Sequence, residues 1–290
     1  MSSHDGVWRR HDPTVAPIPL VFDSPHSGSI YPDDFVHAPP RALVRQAEDT
    51  HVGALWSHVP DVGATLIEAQ FPRAYIDPNR SVADIDLALV ADRWPDAITP
   101  SRKTAQGIGL VWRVVSGGVP LYARKLTAAE LRARIDRYYI PYHDELTTTI
   151  DARHRRFGAV WHVDCHSMPA VGDVNADDAG RERRDFVIGD RDGTTCDASF
   201  TRFVAERIES LGYTVAINDP YKGVEIVRLH GRPREQRHSL QIETKRTLYM
   251  NEATLEPHAG YGTLEADLKT LARDIAEYVR SQLRGSGLAT

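Results

Sequence analysis

The chain has 290 residues, 41% hydrophobic and 26% charged, with formal net charge −5 and pI near 6.2. That is ordinary globular composition at a length able to bury its own core, and the acidic balance offers no footprint for nucleic acid. No apolar run approaches the ~20 residues of a membrane span, the first residues lack an apolar signal core, and two thiols, Cys165 and Cys196, make no disulfide framework. The expectation is a soluble, cytoplasmic protein that acts on a small molecule, with neither nucleic acid nor membrane as partner.

In chain order, Ile18 to Phe22 reads as a short buried strand that runs out into Asp23-Ser24-Pro25-His26-Ser27-Gly28. Arg41 to Val59 reads as a helix, with Leu43, Ala47, Leu55 and Trp56 near one face. Ala64 to Ala69 is a strand, and Arg73 to Asp77 a further one closed by Pro78-Asn79-Arg80. Residues 81–120 are loop-rich, which in a compact domain points to function. Thr127-Ala128-Ala129-Glu130 is a capping box that opens a helix carrying Leu131, Ile135, Tyr138, Tyr142, Leu146 and Ile150, with Pro141 set to kink or split it.

Ala159 to Asp164 is a strand that carries His166 past its end, and Asp185 to Gly189 is the next. Asp197 caps a helix through Leu211 that Gly212 stops. Strands at Tyr213–Ile217 and Ser239–Glu243 follow, then a terminal helix from a Thr263 cap to Leu283. Strands alternating with helices predict a three-layer α/β domain with a mostly parallel sheet. With no repeat, low-complexity tract or linker, one catalytic domain over residues 1–290 is expected.

His26 and His166 fall where apolar runs give way to polar, turn-forming residues, the edge of an α/β sheet where ligands and metals are held. Asp-Cys-His is a costly way to end a core strand unless its polar groups have partners. The two histidines are therefore read as the seat of a divalent metal, zinc by preference, in a hydrolase; two loop histidines bonded to backbone are the plain alternative. A catalytic zinc takes three protein ligands and leaves one position for water. The third is sought in Glu48-Asp49-Thr50-His51, where Asp49, Glu48 and His51 are all able, ranked with Asp49 first and Glu48 second.

Glu243, at a strand end, is placed as a general base, against a salt bridge to Lys245 or Arg246. Asn79 and Arg80 are placed as a grip on a substrate carboxylate. Lys222, Gly223 and Arg228 read as a lid with basic side chains. Cys165 alternates with His166 along a strand and so faces away from it, as a small core residue.

These strings together resemble the N-formylglutamate amidohydrolase family: Ser24-Pro25-His26-Ser27-Gly28, Asp49-X-His51, Tyr75-Ile76-Asp77-Pro78-Asn79-Arg80, Pro141-Tyr142-His143, Asp164-Cys165-His166-Ser167-Met168, Lys222-Gly223, and Gln241-Ile242-Glu243 with Tyr249-Met250. They run in order over nearly the whole chain. The resemblance implies a mixed, mostly parallel sheet in a fold similar to the zinc exopeptidases, and hydrolysis of N-formyl-L-glutamate to formate and L-glutamate, late in histidine breakdown. It implies one zinc, or another divalent ion such as iron or manganese, on His26, Asp49 and His166. Glu243 is then the base, Arg228 or Arg73 the cation at the oxyanion, and Asp164 the partner that orients His166. Asn79 and Arg80 hold one substrate carboxylate, and Lys222 with Gly223, or Arg228, the far one.

The sequence departs from the carboxypeptidase pattern at Ser29, where a glutamate ligand would stand three residues after the first histidine. The competing readings are a hydrolase of another N-acyl amino acid or small peptide, and a non-catalytic protein that binds carboxylates on the same scaffold.

Overall fold

The computed structural model describes residues 2–173 and 176–285. Its strands are β1 (Ser2–His4), β2 (Trp8–His11), β3 (Leu20–Ser24), β4 (Thr65–Ala69), β5 (Val114–Val115), β6 (Val119–Pro120), β7 (Val160–Met168), β8 (Phe186–Gly189), β9 (Val215–Ile217) and β10 (Arg237–Lys245). Apart from the small β5–β6 hairpin they form one sheet in the order β1-β2-β4-β3-β7-β10-β8-β9. The centre, β4-β3-β7-β10, is parallel; β8 runs antiparallel to β10, and β2 antiparallel to both β4 and β1. Central parallel strands need cover on both faces, and β3 and β7 are buried along their whole length.

The helices supply that cover: α1 (Arg41–Arg45), α2 (Val52–Leu55), α3 (Arg102–Ala105), α4 (Ala128–Arg134), α5 (Ile140–Phe157), α6 (Ala198–Ser210), α7 (Glu225–His230) and α8 (Gly260–Gly285). On one face Phe22, Val163, Cys165, Leu240 and Ile242 pack with Val204 and Ile208 of α6 and with Leu268, Leu271, Ile275 and Val279 of α8. Each such side chain, taken fully out of water, contributes about 2 kcal/mol. The other face packs Val21, Ile67 and Val160 against Leu131, Tyr142, Leu146 and Ile150. The result is the expected three-layer α/β/α arrangement around a mixed, mostly parallel sheet. The expectation of one domain over 1–290 reaches past the described residues at both ends.

Strand alternation puts unlike chemistry on the two faces of β7. Val163 and Cys165 enter the apolar layer with α6 and α8, while His162, Asp164 and His166 point the other way. β10 does the same, with Leu240 and Ile242 on one face and Ser239, Gln241 and Glu243 on the other.

Several local expectations change. The helix expected over Arg41–Val59 is broken into α1, α2 and a 3-10 turn at Val59–Val62, with His51 in a left-handed conformation at φ 73°. Arg73 to Asp77 is a turn, not a strand. His166 lies inside β7 instead of beyond it. Thr263 lies within α8, which begins at Gly260. The basic segment read as a lid is in part the short helix α7. At Pro141 the helix continues, because a π-turn over Ile135–Tyr139 absorbs the change of register and the proline sits in the first turn of α5, where its missing N–H is not needed.

Burial holds the rings of His58, His143, His230 and His238 below the ordinary imidazole range, His230 furthest. These folded-state values are depressed, so as pH falls through ~6.5 the unfolded chain takes up protons first. The contribution of these four rings is therefore full above that value and lost below it, while raised groups such as Glu243 act in the opposite sense. Relative to the unaltered chain, His230→Leu is expected to gain thermal stability at pH ~5.5 compared with pH ~7.5; an unchanged difference in unfolding temperature between the two pH values would remove His230 from the effect.

Candidate active site

Ser24 to Gly28 carry the chain from the end of β3 across a close backbone contact: a Cβ on Gly28 would stand 2.2 Å from the carbonyl oxygen of Phe71, which only glycine permits. His26 is thereby set beside the C-terminal half of β7. Its Nε2 lies 2.7 Å from Asp77 Oδ1, and its Nδ1 3.4 Å from Asp49 Oδ2. His166 mirrors this, with Nδ1 3.0 Å from the same Asp49 oxygen and Nε2 2.7 Å from Asp164 Oδ1. The ring centroids are 4.7 Å apart, and ligating atoms of His26, Asp49 and His166 all lie within 4.8 Å of one another.

Asp49 reaches this point because residues 46–51 are not helical. Arg246, just past β10, donates to the carbonyls of Gln46 and Glu48, at 3.0 and 2.8 Å, and to Asp49 Oδ1 at 3.1 Å. Ser27 Oγ donates to the Asp49 carbonyl at 3.2 Å, and the Asp49 N–H to the His26 carbonyl at 3.0 Å. Tertiary partners thus replace the helical ladder, and the carboxylate is turned inward.

Three carboxylates, Asp49, Asp77 and Asp164, are fully or almost fully buried around the two imidazoles. Burial alone would raise Asp49, but a hydrogen bond from His166, the nearby ring of His26 and the charge of Arg73 hold it well below the usual carboxylate range. Asp77 is likewise held low against burial, chiefly by Arg73 and His26. Burial opposes charge on His166, yet Asp164 and Asp49 lift its proton affinity well above that of an ordinary imidazole. A field that draws a proton so strongly also draws a cation.

The residues fit a divalent ion. His26 Nδ1 is buried without a hydrogen-bond partner among the described residues, both Nδ1 atoms face one carboxylate oxygen, and each Nε2 lies 2.7 Å from a second aspartate. Carboxylates behind ligating imidazoles are the usual means of fixing tautomer and ring orientation at a metal.

Glu243 stands opposite His166 in the β7–β10 register. Its carboxylate takes a 2.8 Å hydrogen bond from Gln241. The cations after it are engaged elsewhere, Lys245 with Asp185 at 2.9 Å and Arg246 with Asp49. Burial pushes Glu243 up to about 7, with the attraction of His166 opposing and the nearby Asp49 adding. Such a group can take up and return a proton near neutral pH. Arg73 spans the site, 3.0 Å from Asp77 Oδ2 and 3.7 Å from Asp49 Oδ1.

The other expected residues divide. Glu48 is buried but accepts from Tyr31 at 2.8 Å and Arg45 at 3.1 Å, and His51 Nε2 meets the Leu255 carbonyl at 2.9 Å, so of the three ligand candidates Asp49 alone meets the imidazoles. The Asn79–Arg80 pair separates. Asn79 turns inward, accepting from the Ile226 N–H at 3.0 Å and lying 3.2 Å from His166 Nε2. Arg80 donates to the carbonyls of Ile108 and Asn79 and keeps further donors. Arg228 is not brought to the cluster: its half-exposed guanidinium is held by both oxygens of Glu225. Lys222 is drawn to the surface by Asp192 at 2.9 Å. Gly223, at φ 86°, serves a close backbone approach to Gly189. Asp77 and Arg246 went unseen in the sequence; an acid immediately before Pro78-Asn79-Arg80 was the available sign of the first, and Arg246 was weighed only as a partner of Glu243.

The sequence model of the N-formylglutamate amidohydrolase family matches residues 18–250. The chain is 29% identical to an N-formylglutamate deformylase of Pseudomonas putida over 251 residues, 81% of this chain and 83% of that one. It is 27% identical to an N-formylglutamate deformylase of Pseudomonas aeruginosa over 274 residues, 90% and 92% of the two chains. The crystal structure of N-formylglutamate amidohydrolase from Ralstonia eutropha JMP134 superposes with TM-score 0.90 at 48% identity, covering 96% of this chain and 99% of that one.

Removing a carboxylate behind a ligating imidazole typically weakens metal binding about 10- to 100-fold. Asp77→Asn is expected to lower divalent-ion affinity by that order in a chelator competition with folding intact. Unchanged affinity would separate Asp77 from the proposed ligand set.

Proposed function

The chain belongs to the N-formylglutamate amidohydrolase family, and on that footing we propose that it hydrolyses N-formyl-L-glutamate to formate and L-glutamate, a late step of histidine breakdown, as a single cytoplasmic catalytic domain. The observation that carries the reading is the convergence of His26, Asp49 and His166 beside a carboxylate, Glu243, that no cation neutralises by direct pairing among the described residues.

His26, Asp49 and His166 would hold one divalent ion, with zinc favoured by the two imidazoles and carboxylate. Bound there, it supplies Lewis-acid polarisation and a water of lowered pKa. Asp77 and Asp164 keep the two rings turned so that each Nδ1 faces inward. Glu243 accepts a proton from the water as its oxygen bonds to the formyl carbon. Arg73 donates to the oxygen on which charge gathers. As the C–N bond breaks, Glu243 passes the proton to the departing nitrogen, leaving formate and L-glutamate. Arg80 holds the α-carboxylate, and Asn79, whose amide is committed inside, steadies His166 from behind.

Formate release from N-formyl-L-glutamate should stop on prolonged chelation and return with zinc. Persistent release after the metal is shown to be gone would overturn the metal-dependent mechanism. Glu243→Gln should keep its metal and lose roughly a hundredfold or more in kcat; turnover near that of the unaltered chain would exclude it as the base. Arg80→Ala should act mainly through KM, by roughly 10- to 100-fold for a lost charge-assisted contact. An equal loss on formamides without a carboxylate would deny it that contact.

A further inference from the structure

Two cations beside the site, Arg80 and Lys103, have little acid close to them among the described residues. Asp77 Oδ2 accepts from Arg73 at 3.0 and 3.2 Å and from Trp112 at 3.3 Å, while Oδ1 meets His26 and the Asn79 N–H. Asp49 is taken by His166, Arg246 and Arg73. Arg80, buried, has Asp77 as its one ion-pair partner among the described residues, at 3.9 Å, with Asp84 acting from farther off. Beyond Arg80 stands Lys103, half-buried on α3, with no carboxylate within ion-pair distance among the described residues. Asp177, the acid on its side, is held by Arg102.

The position of Lys103 is fixed by the backbone. Its carbonyl accepts from the Ile108 N–H at 2.9 Å, and the Ile108 carbonyl accepts from Arg80 Nε at 3.2 Å, so one residue links the two cations. Asp84 fastens α3 to the same segment through Thr104 and, at 2.8 Å, through Ser101 Oγ. Gly109 packs directly on that junction, where an added Cβ would meet the Asp84 carbonyl at 2.8 Å. Burial, then the charges of Arg80 and Arg73, hold the Lys103 ammonium below the ordinary lysine range. Partly buried, under-compensated cations in one neighbourhood cost free energy that a bound anion offsets.

Arg73, Arg80 and Lys103 are successively less engaged with the acids that hold the imidazoles. Arg73 touches Asp49 and Asp77, Arg80 approaches only Asp77, and Lys103 approaches neither. An N-formyl dicarboxylic amino acid carries its groups in the same sequence: formyl oxygen, α-carboxylate, side-chain carboxylate. We propose that Lys103 is the specificity residue that binds the side-chain carboxylate of the substrate, in place of Lys222 or Arg228. The assignment rests on the amidohydrolase reading above and adds to it which residue selects an acidic side chain.

The test compares N-formyl-L-glutamate with N-formyl-L-alanine and N-formyl-L-methionine in the metal-loaded enzyme and its Lys103 variants, alongside calorimetric binding of L-glutamate and glutarate. Lys103→Met should lose roughly 10- to 100-fold in kcat/KM on the diacid, mostly through KM. It should change little on the monoacids and bind both diacids more weakly at unchanged metal content. Lys103→Arg should restore much of the diacid preference, and Lys103→Glu should invert it. Equal losses on diacid and monoacids, or unaltered diacid binding in Lys103→Met, would overturn the assignment while leaving the amidohydrolase reading intact. Should the unaltered enzyme release formate from none of the three compounds, the reading beneath it falls instead.

Discussion

The structure turns on the Asp49 carboxylate. It lies fully buried, yet two imidazoles and two guanidiniums converge on it. A buried charge stripped of such partners costs about 3–5 kcal/mol, so the segments that supply them are bound to one another through it. Asp49 joins the loop after β3, the interior of β7, the turn before α2 and the residue after β10. Asp77 extends the same network to Arg73, Trp112 and Asn79. Site geometry and tertiary structure are here one set of interactions, and the groups that orient the imidazoles also hold the loops in place.

That arrangement explains what could be read from the sequence. The layers were legible because they follow from hydrophobic patterning: an apolar run marked β7 and alternation marked β10, the capping box at Thr127 opened α4, and the apolar stripe of α8 was plain. The two histidines were legible because polar residues at the close of apolar runs break the expected pattern. Arg41–Val59 has helical spacing yet does not form one helix, because Arg246 and Ser27, distant in sequence, take the backbone and carboxylate of residues 46–49 for themselves. Arg73–Asp77 has the composition of a strand, but Asp77 is spent on His26 and Arg73 rather than on a sheet.

The cations show the same limit. Lys222 and Arg228 sit in a glycine-containing basic stretch that looks made for an anion, and each is instead matched to a neighbouring acid, Asp192 and Glu225. Lys103 carries no local sign at all. What distinguishes it is the lack of a counter-ion among the described residues and the neighbourhood of Arg80, and both depend on how α3 is fastened to Asp84. Charge pairing is a property of the folded chain, so a list of basic residues cannot say which remain free to meet a ligand.

The two-sidedness of β7 carries a consequence for redesign. Cys165 and Val163 lie in the hydrocarbon interior shared with α6 and α8, while their sequence neighbours hold the chemistry on the opposite side. The sheet is a bulkhead between two compartments that can be altered independently. Repacking the α6–α8 compartment offers a route to greater heat tolerance that need not trade away turnover, provided the backbone of the central strand stays where it is.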